Sequence, residues 1–272
     1  MCTLILGVDV VAPGILIAGA NRDEDPARPS DPPAVLSTSP FVVGGRDRRA
    51  GGTWLALREA RALVAMLNRR PSGPPPDAPR SRGLLALDTA CVPAPPGAGT
   101  AALSRLAREA ALTALARDPY AAFSMVFASA AETWMIAHQP PRPSAVTPIG
   151  PGWHVLTHTE LDDEDEPRAA RLVRELAGWR PRSPDEALDG GAARLREHGS
   201  APAAHPAAPG APRADADAVC IHRGRMVTVS SSRIALDGRG ARFWHVEGRP
   251  CESAGQDLSA LAAGASRSGG TP

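Results

Sequence analysis

The sequence predicts an α+β fold in which antiparallel β-sheets are covered by helices. Two predicted hairpins of short apolar strands come first along the chain, and helical patterns then occur in two pairs. Further predicted strands lie between and after those pairs. Strands and helices therefore do not alternate as a doubly wound parallel sheet requires, and this order favours one layered domain.

Two hairpins are predicted in the first part of the chain. The first joins strands over Thr3–Val8 and Ile15–Ala20, and Pro13-Gly14 between them is a turn signal. The second joins Thr53–Leu57 to Ala62–Asn68 through a charged turn. The apolar runs have the length that is typical of strands.

Pairing within the hairpins predicts which residues lie opposite each other. The first hairpin places Cys2 opposite Asp23 or Asp25, depending on where its turn is centred, and opposed residues are about 4.5–5.5 Å apart. The second hairpin places Asn68 opposite Gly51. Glycine lets the backbone approach a ligand closely, and an asparagine amide can donate a hydrogen bond to an oxyanion.

The remaining elements follow from periodicity and from helix start signals. Ala169, Leu172 and Leu176 recur at helical spacing, and Pro184 favours a helix start. The predicted helices cover residues 81–90, 100–116, 165–179 and 185–198. The predicted strands cover residues 122–129, 133–138, 153–157, 218–222, 225–230 and 241–246. We expect an Ala/Pro-rich loop over residues 200–212, a single domain over residues 1–251 and a flexible tail over residues 252–272.

Composition excludes several enzyme classes and partners. All 30 basic residues are arginine, which rules out mechanisms that need a Schiff-base, Walker or kinase lysine. The net charge of +1 and the 4% aromatic content give no reason to expect a nucleic-acid partner. Four widely spaced cysteines are typical of reduced thiols in a cytoplasmic protein. The apolar start lacks a basic leader and contains Asp9, so it predicts strands rather than a signal peptide or a stable membrane segment.

Cys2 directly follows the initiator methionine, which is normally removed ahead of so small a residue. Cys2 would then carry a thiol nucleophile and an α-amine base, and reference pKa values of about 8.5 and about 7.7–8.0 allow proton transfer between them near neutral pH. For an isolated cysteine, an ordinary buried thiol is the commoner interpretation. For the charged run Asn21–Asp25 alone, a solvated turn is the commoner interpretation. The first hairpin changes that balance, because it places the thiol beside the run, where Arg22 would stabilise a thiolate and Asp23 or Glu24 would orient the ammonium group.

Residues 1–90 contain a series of short motifs in a particular order. They are Met1-Cys2-Thr3, Asn21-Arg22-Asp23-Glu24, Arg28-Pro29, Gly44-Gly45-Arg46-Asp47, Gly51-Gly52-Thr53-Trp54-Leu55, Leu67-Asn68-Arg69-Arg70 and Ser81-Arg82-Gly83. This series closely resembles the NRDE family, also called the transport-and-Golgi-organisation family. The resemblance implies an αββα fold like that of the N-terminal-nucleophile hydrolases, whose members include penicillin V acylases and bile-salt hydrolases.

The resemblance also implies roles for individual residues. By that comparison Cys2 is the nucleophile, Arg22 and Asp23 are its neighbours, and Asn68 is an oxyanion donor. The Arg-x-x-Asp spacing of the acylases would equally fit Arg22 with Asp25. Where the acylases carry a second site asparagine, this chain offers a histidine. The expected substrate contacts are Asn21, Glu24, His158 and Arg233.

Two further clusters of polar residues are weighed as metal or haem sites. His154 and His158 share a strand face and precede several acids, although solvated acids beside a packed histidine are the commoner arrangement. Cys220 and His222 share a strand face, and a buried thiol near a strand end is the favoured interpretation. We therefore expect no metal and no other cofactor.

The leading functional hypothesis is a cysteine amidohydrolase that acts on a carbon–nitrogen bond other than a peptide bond. The alternative is a binding or trafficking protein for haem, a lipid or acyl-CoA on the same fold, with Cys2, Cys220 and His222 as contacts. Both hypotheses expect a small-molecule partner, and neither predicts an oligomeric state.

Overall fold

In the computed structural model, which describes residues 2–199 and 216–264, the strands form two antiparallel sheets of six and seven strands. The strands are β1 (Thr3–Val8), β2 (Leu16–Glu24), β3 (Ser30–Thr38), β4 (Phe41–Asp47), β5 (Leu55–Arg58), β6 (Ala62–Asn68), β7 (Phe123–Ser129), β8 (Thr133–His138), β9 (Ala145–Pro148), β10 (Gly152–Leu156), β11 (Val227–Leu236), β12 (Ala241–Glu247) and β13 (Gln256–Asp257). The helices are α1 (Arg82–Ala90), α2 (Thr100–Arg117), α3 (Pro167–Leu176), α4 (Pro184–Leu195) and α5 (Ser259–Ala262). The six-stranded sheet has the order β10-β1-β2-β11-β12-β13, and the seven-stranded sheet runs from β3 to β9 in chain order.

The two sheets face each other across an apolar core. Leu4 and Leu6 of β1 share this core with Leu55 and Leu57 of β5. Each fully buried leucine stabilises the fold by about 1.5–3 kcal/mol. Helices α3 and α4 cover the outer face of the six-stranded sheet, while α1 and α2 cover that of the seven-stranded sheet. The order helix–sheet–sheet–helix confirms the predicted αββα arrangement of an α+β fold.

Helices α1 to α4 and most strands lie close to their predicted positions. Strands β3, β4 and β9 are not predicted by the sequence patterns. Pro32 and Pro33 lie within β3, which is an edge strand and therefore tolerates residues without an N–H donor. Strand β4 contains Gly44-Gly45, which has the composition of a turn.

Two predictions about the second half of the chain are wrong over the described residues. No strand forms over residues 218–222. Part of the expected flexible tail is folded, since β13 pairs with β12 and α5 follows it. Leu258 and Leu261 pack against the core between the sheets, and burial of these apolar side chains stabilises the folded segment. The loop predicted over residues 200–212 lies outside the described residues.

The register of both early hairpins differs slightly from the prediction. Thr3 pairs with Asn21, so continuing β1 by one residue places Cys2 opposite Arg22 instead of an aspartate. In the second hairpin the pairing of Leu55 with Ala65 centres the turn on residue 60. Glu59 and Ala60 both have positive φ there, which makes a tight turn that sequence composition does not reveal. Asn68 consequently falls opposite residue 52 and not residue 51.

Within the part of the chain that the structure describes, no helix combines the length and the apolar character needed to cross a bilayer.

Candidate active site

The charged run after the first hairpin continues strand β2 and does not form a turn. β2 extends to Glu24 and is paired on both sides, with β1 and with β11. Because side chains alternate along a strand, Arg22 and Glu24 project to one face of the sheet and Asn21 and Asp23 to the other. This alternation divides the predicted site residues into two groups.

Arg22 and Glu24 line a cavity of about 270 Å³ together with Cys2 and Asn68. The cavity lies where the ends of β2 and β6 meet the β4–β5 connection and the start of α1. Its remaining lining residues are Arg28, Asp47, Ala50, Thr53, Trp54, Met66, Pro79, Arg80, Ser81, Arg82, Gly83 and Ala121. Three of the four residues predicted as catalytic are therefore brought to one cavity.

Cys2 is partly buried against the core between the sheets. Its thiol lies 3.9 Å from the backbone carbonyl oxygen of Asp23, to which the S–H can donate. Burial raises the pKa of the Cys2 thiol above its ordinary value, and the nearby charge of Asp23 raises it further. The positive charge of the N-terminus, the hydrogen bond to the Asp23 carbonyl and, least of the three, the guanidinium of Arg22 act in the opposite direction. The thiol form of Cys2 is therefore favoured at neutral pH.

Arg22 is held in place from two sides. Its guanidinium carbon lies 4.3 Å from the centroid of the Trp54 ring, a cation–π distance, and Nη1 donates to Ser30 Oγ at 3.4 Å. Nη2 lies 3.9 Å from a carboxylate oxygen of Glu24. Gly45 makes room for the indole, because a Cβ at that position would lie 2.4 Å from Trp54 ring atoms. The arginine therefore presents a fixed positive charge to the cavity.

The Asp23 carboxylate is buried on the opposite face of β2. Thr228 Oγ1 donates to it at 2.6 Å, and Arg168 Nη1 lies 3.5 Å from it while also donating to Thr3 Oγ1 at 2.9 Å. Burial raises the pKa of Asp23 to about 6, although Arg168 and the Thr228 hydrogen bond act to lower it. The backbone carbonyl of Asp23 therefore contacts Cys2, whereas its side chain lies on the opposite face of β2.

Asn68 is the exposed last residue of β6, and its neighbour is firmly anchored. Arg69 donates to Gln139 Oε1 at 2.8 Å and to Ser124 Oγ at 2.9 Å, and it also pairs with Glu160. These contacts fix the backbone that carries Asn68 at the mouth of the cavity.

The second glycine pair allows α1 to approach the cavity. A Cβ on Gly52 would lie 2.1 Å from the backbone carbon of Gly83, and Thr53 N–H donates to the Gly83 carbonyl at 2.9 Å. This close approach brings the first turn of α1 beside the β4–β5 connection. Gly52 therefore has a packing role, and Gly51 has the positive φ that favours a glycine turn.

Three of the expected substrate contacts lie elsewhere. The Asn21 amide donates to the carbonyl oxygens of Leu195 and Val219 at 2.8 and 3.0 Å, so it anchors the end of α4. Arg233 lies under α4, 3.6 Å from Asp189. Neither side chain lines the Cys2 cavity. Both side chains lie on the outer face of the six-stranded sheet. This follows from the alternation of side chains along each strand once the register is known.

His158, the third of these, is buried and does not line the cavity. Its Nε2 lies 3.0 Å from Arg70 Nη2, and its carbonyl accepts from the Arg70 N–H at 2.8 Å. Burial lowers the pKa of His158 to about 4, and the charges of Arg70 and Arg168 add to that effect. The imidazole therefore stays neutral and ties the seven-stranded sheet to the segment after β10.

Several cavity residues are not among the predicted site residues. Arg28 binds Asp47 through Nη2 at 2.6 Å and approaches Glu24 at 3.8 Å. Arg82 donates to the Ala122 carbonyl at 2.8 Å, and burial together with the charge of Arg28 lowers its pKa. Arg28 and Arg82 belong to motifs of the family resemblance, but their convergence depends on the packing of α1 against β5 and β6 and not on local sequence.

The remaining histidine and cysteine candidates lie apart from this cavity. His154 bonds Asp162 at 2.7 Å and the Gly150 carbonyl at 2.9 Å, so its two ring nitrogens have protein partners. Cys220 is buried, as expected, and lies beside His222 and Cys251. A second cavity of about 570 Å³ lies between β3 and α5 and shares no lining residue with the first.

Comparisons with solved structures find distant similarities. The Caenorhabditis elegans N-acylethanolamine-hydrolyzing acid amidase ortholog is 15% identical with a TM-score of 0.49, over 86% of this chain and 92% of that one. A mutant conjugated bile acid hydrolase from Clostridium perfringens is 11% identical with a TM-score of 0.46, over 95% of this chain and 92% of that one. Penicillin V acylase from Agrobacterium tumefaciens is also 11% identical with a TM-score of 0.46, over 90% of this chain and 83% of that one.

Sequence comparison identifies the family. No curated protein matches this chain. The family model described as Transport and Golgi organisation 2 matches residues 1–197, a span that contains Cys2, the charged end of β2, Asn68 and the first turn of α1. The resemblance inferred from the early motifs is confirmed, and the chain belongs to the Transport and Golgi organisation 2 family.

Proposed function

We propose that this protein is a cysteine amidohydrolase of the N-terminal-nucleophile kind, acting on a carbon–nitrogen bond other than an ordinary peptide bond. One observation carries this proposal: Cys2, Arg22 and Asn68 line the same cavity, although they are far apart in the chain. A nucleophile and an amide donor are groups that acyl transfer uses, and a fixed cation can stabilise the thiolate.

The proposed reaction begins after removal of Met1, which leaves an α-amine on Cys2. Because burial favours the neutral thiol, a base must take the thiol proton as the sulfur–carbon bond forms, and the α-amine is that base. The carbonyl oxygen gains negative charge, which the Asn68 amide would stabilise. The α-ammonium then returns the proton to the leaving nitrogen as the carbon–nitrogen bond breaks. Water finally hydrolyses the thioester and restores the thiol.

Two residues would keep the nucleophile in position during these steps. The charge of Arg22 favours the developing thiolate, and its stacking on Trp54 keeps the guanidinium in one orientation. Asp23 lies next to the strand position that precedes Cys2 and would accept a hydrogen bond from the new ammonium group. Its pKa of about 6 leaves the carboxylate ionised at neutral pH, as this role needs.

The charges of the cavity support a substrate that carries a negative charge. Four arginines line it against two acids, Glu24 and Asp47, and both acids already contact Arg28. The first turn of α1 adds the positive end of a helix dipole. A volume of about 270 Å³ lies near the lower end of the range for small-molecule sites, about 300–1,000 Å³. We therefore propose a small N-acyl amide with a carboxylate or similar anion.

The first experiment determines the mature N-terminus and the reactivity of Cys2. Intact mass is expected to show loss of Met1, and peptide mapping after iodoacetamide is expected to show modified Cys2. A Cys91→Ser variant is the matched control, because Cys91 is a free, half-buried thiol outside the cavity. Retention of Met1, or a Cys2 that no electrophile modifies, would contradict an N-terminal nucleophile.

The second experiment measures amine release from N-acyl glycines and from N-acyl ethylamines of equal chain length. We expect turnover of the anionic series, loss of turnover in Cys2→Ala, and a rate about 100-fold lower in Asn68→Ala. Turnover of the neutral series alone would contradict the proposed substrate charge but not the proposed chemistry. Turnover that survives Cys2→Ala would overturn the chemistry.

The arginine-rich lining also favours a second candidate, a non-catalytic carrier of an anionic lipid or acyl-CoA. Cys220 and His222, which the sequence suggested as contacts for such a ligand, do not line this cavity. Equilibrium binding of acyl-CoA without hydrolysis, abolished by Arg82→Gln, is the outcome expected of a carrier. No bound lipid by mass spectrometry and no change in the haem Soret band on titration would count against it.

A further inference from the structure

Four metal-binding side chains meet in a region separate from the Cys2 cavity. They are His198, Cys220, His222 and Cys251. One ligand atom from each lies within 4.8 Å of those of the other three, and none of the four residues lines the cavity. Among the described residues this is the one such cluster of histidine, cysteine and acidic side chains.

The distances among three of the four ligand atoms are close to those of a tetrahedral zinc site. The two sulfurs are 3.5 Å apart, and His222 Nε2 lies 3.6 Å from Cys220 Sγ and 3.0 Å from Cys251 Sγ. Zinc–sulfur bonds of about 2.3 Å and zinc–nitrogen bonds of about 2.0–2.1 Å imply tetrahedral edges of about 3.8 Å between sulfurs and about 3.5 Å between sulfur and nitrogen. The three distances among Cys220, His222 and Cys251 lie within about 0.5 Å of these edges, and the His198 ligand atom lies within 4.8 Å of the other three.

The environment of His222 orients the ring for metal binding. Nε2 faces the two sulfurs, while Nδ1 lies 3.4 Å from a carboxylate oxygen of Glu252. A carboxylate on the second ring nitrogen is the usual partner of a zinc-bound histidine, because it sets the tautomer and the ring orientation. The His198 ring lies at 85° to the His222 ring with centroids 4.7 Å apart, as two ligands of one ion can.

One backbone and one side-chain hydrogen bond hold the three contributing segments together. The Cys220 N–H donates to the Glu197 carbonyl at 2.8 Å, which joins the residues after α4 to the loop before β11. Arg196 Nε donates to the Pro250 carbonyl at 3.0 Å, which joins the same residues to the turn after β12. The ligands are therefore supported by the fold and do not converge through side-chain flexibility alone.

We propose that His198, Cys220, His222 and Cys251 form a structural zinc site that clips the end of α4 to the entry of β11 and the exit of β12. Two thiolates and two imidazoles are a donor set that zinc favours over magnesium or calcium. All four coordination positions are filled by protein, which is typical of structural sites and leaves none for a substrate. This site is independent of any chemistry at Cys2.

The test uses the purified full-length protein. We expect about one zinc per chain by inductively coupled plasma mass spectrometry. After removal of zinc by a chelator, Co²⁺ is expected to give tetrahedral visible bands and a thiolate charge-transfer band that saturate at one equivalent. Zinc below a tenth of an equivalent together with no charge-transfer band on Co²⁺ addition would overturn the site, and this readout needs no variant to fold.

Variants assign the ligands. Cys220→Ser and Cys251→Ser are each expected to abolish the charge-transfer band or halve its intensity, whereas the Cys91→Ser control keeps both band and stoichiometry. Glu252→Gln is expected to keep the spectrum and weaken affinity about tenfold. A Cys220–Cys251 disulfide in the freshly isolated protein, seen as a mass loss of two hydrogens without reductant and by peptide mapping, would also overturn the proposal.

Discussion

Arg22 and Cys2 are opposed on neighbouring strands, so the guanidinium charge acts on the ionisation of the thiol. Burial works against ionisation of the Cys2 thiol, whereas the guanidinium charge works in its favour. Because Arg22 stacks on Trp54 and donates to Ser30, its charge stays beside the thiol without relying on solvent-exposed contacts.

Replacing Arg22 with methionine tests this relation. Arg22→Met keeps a long side chain against Trp54 but removes the charge, so the pKa of the Cys2 thiol should rise and alkylation by iodoacetamide near neutral pH should slow severalfold. Arg22→Lys, which keeps the charge, should have an alkylation rate closer to that of the original protein. Rates would be followed by intact mass as a function of pH, and an unchanged rate in Arg22→Met would contradict this relation.

The buried His158 predicts a pH dependence of stability. Its pKa of about 4 in the folded protein lies below the ordinary value of 6.5, so between these values the unfolded chain binds more protons. The free energy of unfolding contributed by His158 is therefore complete above pH 6.5 and is lost as the pH falls towards 4. At about 1.4 kcal/mol per pKa unit, the total loss is about 3–4 kcal/mol.

His158→Gln should remove this loss, as measured by urea unfolding midpoints across that pH range. Asp23 titrates with the opposite sign, because its raised pKa makes the folded protein bind more protons between 3.8 and about 6. The relevant quantity is therefore the difference between the two proteins in how the urea midpoint changes with pH, and not the pH dependence of either protein alone. Equal slopes for the two proteins would show that His158 is not shielded from protonation.

At the scale of elements, β2 joins the candidate site to the helical layer. One of its faces carries Arg22 and Glu24 into the cavity, and the other carries Asn21 to the end of α4. The same four-residue motif thus carries Arg22 and Glu24 into the cavity and Asn21 into a structural contact, while the Asp23 carboxylate lies on the same face as Asn21. The sequence alone leads us to expect all four residues at the ligand. Which of them share a face becomes clear only once the strand is known to continue through the motif.

Substituting Asn21 tests this division. Asn21→Ala removes the donors to the Leu195 and Val219 carbonyls in a buried setting, so it should lower the free energy of unfolding by about 1–3 kcal/mol without a change in Cys2 alkylation. Asn68→Ala is the matched control, since Asn68 is exposed and its loss should change stability by less than about 0.5 kcal/mol. The reverse ranking of the two variants by urea unfolding would contradict the division.

At the scale of the whole molecule, the core between the sheets predicts one cooperative unfolding transition. Residues from both sheets share that core, so neither sheet can keep its inner face buried alone. Tryptophans report on both helical layers, since Trp134 lies under α1 and α2 while Trp153 and Trp179 stack at 4.9 Å beside α3. Fluorescence and far-UV circular dichroism should therefore give the same urea midpoint. Two separated midpoints would contradict the predicted single domain.

The sequence by itself determined the helices, most strands, the αββα class through its family resemblance, and the association of Cys2 with the charged run. These features depend on periodicity, turn residues and short motifs, which act over a few neighbouring residues. Only the tertiary structure decided that Cys2 opposes Arg22, that Asn21 and Arg233 face α4, that Arg28 and Arg82 join the cavity, and that two cysteines and two histidines converge. The physical reason is that a shift of one residue in register exchanges the faces of a strand, and that contacts between distant segments arise from packing, which no local pattern contains.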